Sequence, residues 1–384
     1  MRKFVLVLTV LLGILGYIYT EEAVKIGTLG TEGELIYPRQ IKEGPDGNIY
    51  VYDSMDAFIK VYSPEGKFLR KMGGEGQGPG EIQRNDGVSF GFTPDKKLYF
   101  TEFFTGHPWI TLMELSGKFQ KAIKLDIKEF FGVSIASCLP DGRFLTELNF
   151  AGRPEREKDF FYHRSPQEII LQNADGEIIS KIKRADYITR ISYESRGADS
   201  PIPFVPAFAW CPYKQDTVLF SDGLSTKLQV YNYQGKLIRE IQTPLPEPEK
   251  VTRKDLNKWR ERRKEMLASR NPDWWNRFGK VIDNYKKSIY KEHPNLSGIA
   301  VTPQGNILIS GRWDDGKNRS RYWLLDESGE TKAEVTSTAG GVSISKSFIF
   351  FRKADEDGII TVYVQKRTGS EKEDLLRLKY LTYS

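Results

Sequence analysis

The sequence predicts an all-β fold, a six-bladed β-propeller with a helical insertion between blades four and five. Three observations predict it. A unit of short strands and tight turns recurs about every 40–50 residues, aromatic residues make up 12% of a chain that also has 34 Gly and 19 Pro, and one helical segment interrupts the repeat. Aromatic residues with many turn formers suit short strands. Closing such units into a ring buries both faces of every sheet.

The repeated unit is clearest between residues 40 and 72. Two turns, Pro45-Asp46-Gly47-Asn48 and Glu65-Gly66, separate segments in which apolar residues alternate at period two. Glycine accepts a positive φ without a steric clash, so we expect the two hairpins to depend on Gly47 and Gly66.

The unit recurs along the chain, and each recurrence is marked by its turns. Four further turn pairs are Thr93-Pro94-Asp95 with Ser116-Gly117, Leu139-Pro140-Asp141-Gly142 with Ala174-Asp175-Gly176, Cys211-Pro212-Tyr213 with Tyr233-Gln234-Gly235, and Thr302-Pro303-Gln304-Gly305 with Glu327-Ser328-Gly329. The last unit is less regular, with strands predicted over 340–344, 348–352, 359–366 and 375–381. We expect residues 23–29, before the first unit, to pair with the last blade and close the ring.

Residues 1–20 differ from the rest of the chain. Arg2 and Lys3 precede an uncharged run from Phe4 to Tyr19, which is close to a signal-peptide core and short for a spanning helix. The segment is interpreted as a cleaved signal peptide or an uncleaved N-terminal anchor, and residues 21–384 as the propeller. Both interpretations predict an exported protein, periplasmic or extracellular. It would contact a membrane only if the N-terminal segment stays uncleaved as an anchor.

The chain has two cysteines, Cys138 and Cys211. Export permits a disulfide, but two cysteines in a large domain are not a disulfide framework. Two buried thiols are the favoured interpretation, with a bridge between them as the alternative.

A glycine-rich stretch, Gly73-Gly-Glu-Gly-Gln-Gly-Pro-Gly-Glu81, follows the first unit. With the Pro-Asp-Gly-Asn and Ser-Pro-Glu-Gly-Lys turns, it resembles bacterial six-bladed propeller proteins related to the NHL-repeat family, over residues 22–382. The resemblance implies the fold but no single activity, because such rings serve as binding platforms, metal-dependent lactonases or lyases. Since no helix follows the stretch, we expect a tight crossover between blades and not a phosphate cradle.

Residues 249–293 break the strand pattern and predict two helices. Thr252 and Asp255 form a predicted capping box, and Asn271-Pro272 restarts the helical spacing. We expect the apolar stripe of the second helix to be buried against the ring, through Trp275, Phe278, Ile282 and Tyr285.

The insertion is strongly basic. Residues 250–293 hold 14 Lys and Arg against six Asp and Glu. Such a surface is either a solvated helical face or a site for an anionic ligand, a glycan or a lipid headgroup. The candidates for anion binding are Arg262, Arg263 and Lys264, which with Arg260 are expected to point outward or over the channel mouth. Nucleic acid is not expected as a partner, because the protein is exported and has no known reading motif.

The mouth of the central channel is the default ligand site of a ring. The charged residues that the repeat places near it are Arg39, Asp53, Glu102, Glu147, Arg190, Arg196, Asp222 and Arg312. Asp53 and Asp222 are also expected to cap their own turns. A ring of carboxylates could bind Ca²⁺, and His107, His163 and His293 with a water molecule could bind Zn²⁺. The other interpretation of the histidines is that they are surface residues.

The sequence favours an exported binding or interaction scaffold that uses the channel-mouth face and needs no cofactor. Its partner would be an envelope protein, a glycan or a small anionic ligand. The alternative is a metal-dependent lactonase-like hydrolase or lyase that holds Ca²⁺ or Zn²⁺ at the same mouth. Stoichiometric metal in the purified protein would favour the enzyme.

Overall fold

The computed structural model describes residues 23–83, 87–102, 109–125, 132–150, 152, 154–193, 199–270, 279, 281–286, 288–313, 319–355 and 358–378. Within them the strands form six sheets. The first strand, β1 (Val24–Ile26), belongs to the last sheet. Sheet one contains β2 (Pro38–Glu43), β3 (Ile49–Asp53), β4 (Phe58–Tyr62) and β5 (Phe68–Gly73). Sheet two contains β6 (Val88–Phe92), β7 (Leu98–Glu102), β8 (Trp109–Met113) and β9 (Phe119–Lys124).

The remaining sheets follow in chain order. Sheet three contains β10 (Gly132–Cys138), β11 (Phe144–Asn149), β12 (Glu155–Glu157), β13 (Phe160–Gln172), β14 (Ile178–Tyr193) and β15 (Asp199–Pro201). Sheet four contains β16 (Ala209–Pro212), β17 (Thr217–Ser221), β18 (Lys227–Asn232) and β19 (Leu237–Gln242). Helix α1 (Arg253–Arg270) comes next. Sheet five contains β20 (Gly298–Val301), β21 (Ile307–Trp313), β22 (Arg319–Leu325) and β23 (Thr331–Ser337). Sheet six contains β24 (Gly340–Ile344), β25 (Phe348–Ala354), β26 (Ile360–Lys366) and β1, and helix α2 (Glu371–Arg377) follows it.

The sheets pack face to face in sequence, which confirms the all-β propeller. Buried apolar clusters lie between neighbouring sheets, and the cluster between sheet six and sheet one joins the two ends of the series. Each of the six contacts can be represented by two residues, one from each of the two sheets. The pairs are Tyr52 and Phe100, Ile110 and Phe144, Leu171 and Phe220, Leu219 and Ile307, Leu324 and Phe351, and Phe350 and Val51. Each sheet therefore buries two faces, as ring closure requires.

The prediction of six regular four-stranded blades is wrong for sheet three. Five sheets have four strands, whereas sheet three has six. Its strands β13 and β14 are 13 and 16 residues long and continue their pairing beyond the end of β11. This extension, residues 155–166 and 186–193, is called the arm. It continues because Phe160, Tyr162, Ile188 and Ile191 bury apolar surface against α1 and the residues that follow it, not against another blade.

The predicted N-terminal strand is confirmed in part of its range. β1 pairs antiparallel with β26, and Val24 lies opposite Val364. The outer-strand position of the last sheet is thereby taken. The predicted strand over 375–381 is wrong for residues 375–378, and residues 379–381 fall outside the described part of the chain. Its first residues instead belong to α2, which begins at a capping box formed by Ser370 and Glu373.

The turns and the glycine-rich stretch lie where the repeat predicts. Gly47 and Gly66 both have positive φ, +80° and +89°. The glycine-rich stretch joins β5 to β6 and folds back on itself, because Gly76 N donates to Ile82 O (3.2 Å) and Ile82 N donates to Gly74 O (2.8 Å). It is a crossover between two sheets, as expected.

Helix α1 packs on the arm. The Thr252–Asp255 capping box is present, since Thr252 N donates to Asp255 Oδ2 (2.8 Å) and Asp255 N donates to Thr252 Oγ1 (3.3 Å). Leu256 of α1 and Tyr285 belong to the apolar cluster that includes Ile191 of the arm. Ile282 and Tyr285 are buried, but Tyr285 packs against the arm and not directly against the ring as predicted. The predictions for Trp275 and Phe278 fall outside the described residues.

Candidate functional site

The seam between sheets six and one contains two irregular inner strands. β2 has a register shift between Pro38 and Gln40, so Arg39 is an extra, bulged residue. β24 has a register shift between Gly340 and Ser343. A β-bulge bends its strand and re-aims the side chains beside it. The two bulges therefore lie on the first strands of neighbouring sheets, at the seam.

Arg352 of β25 lies between these bulges. Its Nη1 donates to the backbone oxygens of Pro38 (3.0 Å) and Arg39 (3.1 Å), across the seam. Gly341 gives its guanidinium room, because a Cβ there would lie 2.7 Å from Nε and 2.9 Å from Cζ. The sequence provided no signal for Arg352, which lies within a strand far from residue 39.

Arg39 adds positive charge near Arg352. Burial, and then the nearby Arg39, hold the pKa of Arg352 below its usual value. Among the described residues no carboxylate pairs with Arg352, and the other groups that influence it are the hydroxyls of Tyr37 and Tyr322. A partly buried guanidinium beside a second one favours a bound anion, since an anion removes the repulsion and accepts from planar N–H groups.

Arg39 and Lys42 extend the positive character along β2. The guanidinium of Arg39 stacks 4.2 Å from the ring centre of Tyr37, which fixes its plane. Lys42 lies over Phe90 of sheet two, and burial lowers the pKa of Lys42 to about 8. We define the seam site as Arg39, Arg352, Tyr37 and Gly341.

Asp53 is occupied by structural contacts. It is fully buried, accepts from the backbone nitrogens of Ile36 and Tyr37 at 2.8 Å each, and pairs with Lys60 at 3.0 Å. It also accepts from Met55 N (3.2 Å), which confirms its capping of its own turn. These contacts fix the chain that leads into β2, so Asp53 positions Tyr37 within the seam site.

Glu147 and Asp222 also lie in local networks. Glu147 is buried and accepts from Trp210 Nε1 (2.7 Å) and Gln167 Nε2 (3.0 Å), and burial raises its pKa. Asp222 accepts from Leu224 N (3.0 Å) and so caps its own turn as predicted. The side chain of Arg312 and all of Arg196 fall outside what the structure describes.

Glu102 has a different environment from the other predicted residues. It ends β7 beside a cavity of about 240 Å³ beneath the glycine-rich stretch. Its Oε1 accepts from Gln83 N at 2.6 Å. Burial raises the pKa of Glu102 to about 7. The structure thus separates Arg39 from Glu102, because Arg39 belongs to the seam site and Glu102 to the cavity beneath the glycine-rich stretch.

The raised pKa of Glu102 predicts a pH-dependent stability. The folded protein holds this proton to about pH 7, whereas an unfolded glutamate releases it near pH 4.3. The stabilisation is therefore fully present below about pH 4.3 and is lost as the pH rises through about 7, by up to about 4 kcal/mol. We expect Glu102→Gln to remove this loss, so that the variant exceeds the parent in stability at pH 8.

Urea unfolding of both proteins at pH 5, 6, 7 and 8 measures this difference. Glu32→Gln, an exposed glutamate, is the control and should follow the parent at every pH. Parallel curves for the parent and Glu102→Gln would contradict the assignment.

The basic residues of the insertion do not share one environment. The prediction that Arg260 points outward is wrong, because its Nε and Nη2 donate to the backbone oxygens of Ile282 (3.2 Å) and Asp283 (2.8 Å). These carbonyls end a short helical segment, which attracts a guanidinium. Lys264 pairs with Asp283 at 2.6 Å, and Arg263 is half-buried, while Arg262 is exposed. Anion binding by Arg262, Arg263 and Lys264 stays a prediction.

The described histidines lie apart. His163 Nε2 contacts Ser192 Oγ (2.9 Å) within the arm, and His293 Nε2 lies 3.3 Å from Asp255 Oδ2 at the start of α1. His107 is outside the described residues. In the part of the chain that the structure describes, no group of three or more His, Cys, Asp or Glu side chains is placed to hold a metal.

The cysteines are separate thiols. Cys138 and Cys211 are both free and partly buried, and burial raises the pKa of each to about 12. Neither is therefore a thiolate nucleophile at neutral pH. Among the described helices, none has the length and apolar character needed to cross a membrane.

Comparison with known proteins gives structural similarity alone. No family model matches the sequence, and no curated protein matches it. A protein described as exported from Bacteroides fragilis NCTC 9343 is similar in structure at 13% identity and a TM-score of 0.48, over 90% of this chain and 95% of that one. Virginiamycin B lyase from Staphylococcus aureus is similar at 13% identity and 0.42, over 88% and 82%. A proposed gluconolactonase is similar at 10% identity and 0.45, over 91% and 93%.

Proposed function

We propose that this protein is an exported propeller that binds a small anionic ligand at the seam site. The observation that carries the proposal is the partly buried guanidinium of Arg352, which lies beside Arg39 and has no carboxylate partner among the described residues. The two bulges at this point support it, because bulges are frequent next to functional sites.

The hydrogen bonds of Arg352 leave donors for a ligand. Nη1 is used by two backbone oxygens, and this fixes the plane of the guanidinium. Nε and Nη2 lie next to Gly341 and have no hydrogen-bond partner among the described residues, so they can form a two-donor fork, the arrangement that matches carboxylate and phosphate oxygens. Arg39, held in plane by Tyr37, adds positive charge near Arg352.

The same proposal covers blade number and location. We count sheet three as a blade, which makes six, because it shares apolar clusters with sheets two and four. We also propose that the protein is related to the NHL-repeat group. Export rests on the charged start and apolar run of residues 1–20. The partner would then be a small anion in the periplasm or outside the cell.

Calorimetric titration with inorganic phosphate and with citrate tests the ligand class. We expect saturable binding to the parent protein that weakens when salt is added, because salt screens the charges. Arg39→Met and Arg352→Met should each weaken binding by about tenfold or more, the loss expected for one charge-assisted hydrogen bond. Arg239→Met, which removes an exposed arginine of β19, is the matched control and should bind as the parent does.

Arg352 also joins two sheets, so its loss could act through folding. Arg352→Lys keeps the charge but loses the fork and should give an intermediate affinity with parental stability. Thermal melts of all variants separate the two effects. Absence of saturable binding for both anions, or parental affinity in the folded Arg352→Met protein, would overturn the proposal.

A further inference from the structure

Three parts of the structure form the cavity beneath the glycine-rich stretch. The stretch itself forms one wall, the end of β7 contributes Glu102, and β8 and β9 contribute aromatic and small side chains. Glu81, Glu102, Trp109, Thr111 and Phe119 are among the residues that line it. With a volume of about 240 Å³, the cavity is slightly smaller than the usual range of ligand pockets, about 300–1,000 Å³.

Glu102 gives the cavity an uncompensated carboxyl group. Oε1 accepts from Gln83 N, and Oε2 has no partner among the described residues. Burial is the main influence on the pKa of Glu102, and no charged side chain among the described residues contributes to its shift. Ionisation of this carboxyl is therefore unfavourable until a positive group comes near it.

Aromatic side chains line the same cavity as the carboxyl. Trp109, the first residue of β8, leaves 38% of its surface exposed, although it belongs to a strand. Phe119 of β9 lines the same space, and Thr111 adds a hydroxyl group. A partly exposed indole and a carboxylate that line one cavity both attract a cation, through the ring quadrupole and the charge.

We propose that this cavity is a second binding site, for a small organic cation that carries a flat apolar group. Its charged nitrogen would pair with Oε2 of Glu102, and its flat group would pack on Trp109 and Phe119. An anion would be repelled by Glu102 and Glu81, which are the charged groups among the described lining residues. This inference does not depend on the seam site.

Binding of a cation here is coupled to loss of a proton. Glu81 and Glu102 are the titratable groups that line the cavity among the described residues. Because the pKa of Glu102 is about 7, the carboxylate form falls to about 3% at pH 5.5 and exceeds about 90% at pH 8. A ligand that needs the carboxylate should bind about 30-fold more weakly at pH 5.5 than at pH 8.

The experiment compares benzylamine with its neutral analogue benzyl alcohol, by calorimetric titration of the full chain at pH 8 and pH 5.5. We expect saturable benzylamine binding at pH 8, weakened at pH 5.5 and in Glu102→Gln, and weakened at both pH values in Trp109→Ala. Benzyl alcohol should bind weakly and without pH dependence. Glu32→Gln is the matched control and should retain parental affinity for benzylamine.

Folding is checked separately by circular dichroism and thermal melts, and Trp109→Phe gives a second variant that keeps an aromatic face. The proposal would be overturned by any of three results. These are no saturable binding of benzylamine at pH 8, a folded Glu102→Gln protein that binds benzylamine as tightly as the parent does, or a parent that binds benzyl alcohol as tightly as benzylamine. Arg352→Met should leave benzylamine binding unchanged, so that failure here and failure at the seam site are distinguishable.

Discussion

Gly329→Ala is expected to destabilise the protein by about 3–5 kcal/mol, whereas Gly305→Ala in the same sheet should cost about 1–2 kcal/mol. Both glycines have positive φ, +94° and +81°, so both substitutions introduce the strain of an L-residue in that conformation. At Gly329 the new Cβ would also overlap the backbone oxygen of Gln242 and lie 2.8 Å from Ile241 Cγ2. At Gly305 its nearest neighbour would be Lys214 Cε at 3.8 Å.

Urea unfolding of the two variants and the parent measures the difference directly. Gly305→Ala is the control for backbone strain alone, because its surroundings leave space for a methyl group. Equal losses of stability in the two variants would mean that the approach of Gly329 to β19 is not close.

Arg367→Met is expected to cost about 3–5 kcal/mol, as found when one member of a buried ion pair is removed. The side chain of Arg367 is 9% exposed, and its Nε donates to Asp374 Oδ2 at 2.8 Å. Glu371 lies 3.9 Å from Nη1 and, like Asp374, is 1% exposed. Without the guanidinium, two buried carboxylates of α2 would lose this positive partner.

Lys372→Met is the matched control, because it removes a positive charge from an exposed position of the same helix. It should change stability by no more than about 0.5 kcal/mol. Limited proteolysis should cut Arg367→Met near α2, because undocking exposes Leu375 and Leu378, which are buried in the parent. Parental stability and protection of Arg367→Met would contradict this role.

The sequence predicted the features that depend on local residues. Turns at Gly47 and Gly66, the strand at 24–26 and the capping box at Thr252 each follow from a short motif whose geometry few residues can adopt. The placement of Asp53 at a turn was predicted for the same reason.

The features that the sequence missed depend on distant partners. The strands of the arm are long because α1 covers them, and α2 is a helix because β1 already occupies the outer edge of the last sheet. Arg352 faces Arg39 across the seam between the first and last sheets. The residues around position 352 in the sequence do not indicate that Arg39 will lie beside Arg352 in the fold.

The contact at Gly329 recurs around the ring. The second-hairpin glycine of sheets one to five approaches the outer strand of the preceding sheet, at Gly66, Gly117, Gly176, Gly235 and Gly329. For sheet one that strand is β1, and a Cβ on Gly66 would lie 2.6 Å from Val24 Cγ1.

This placement has a consequence for the order of folding during synthesis. β1 is made before any blade, and its contact with the hairpin of sheet one is available as soon as residue 66 has emerged. Its pairing with β26 has to wait for Val364, at the far end of the chain, and such distant contacts form slowly. The early contact at Gly66 can hold β1 in place while the other blades are made. The closing step then adds β26 to an edge that is already positioned.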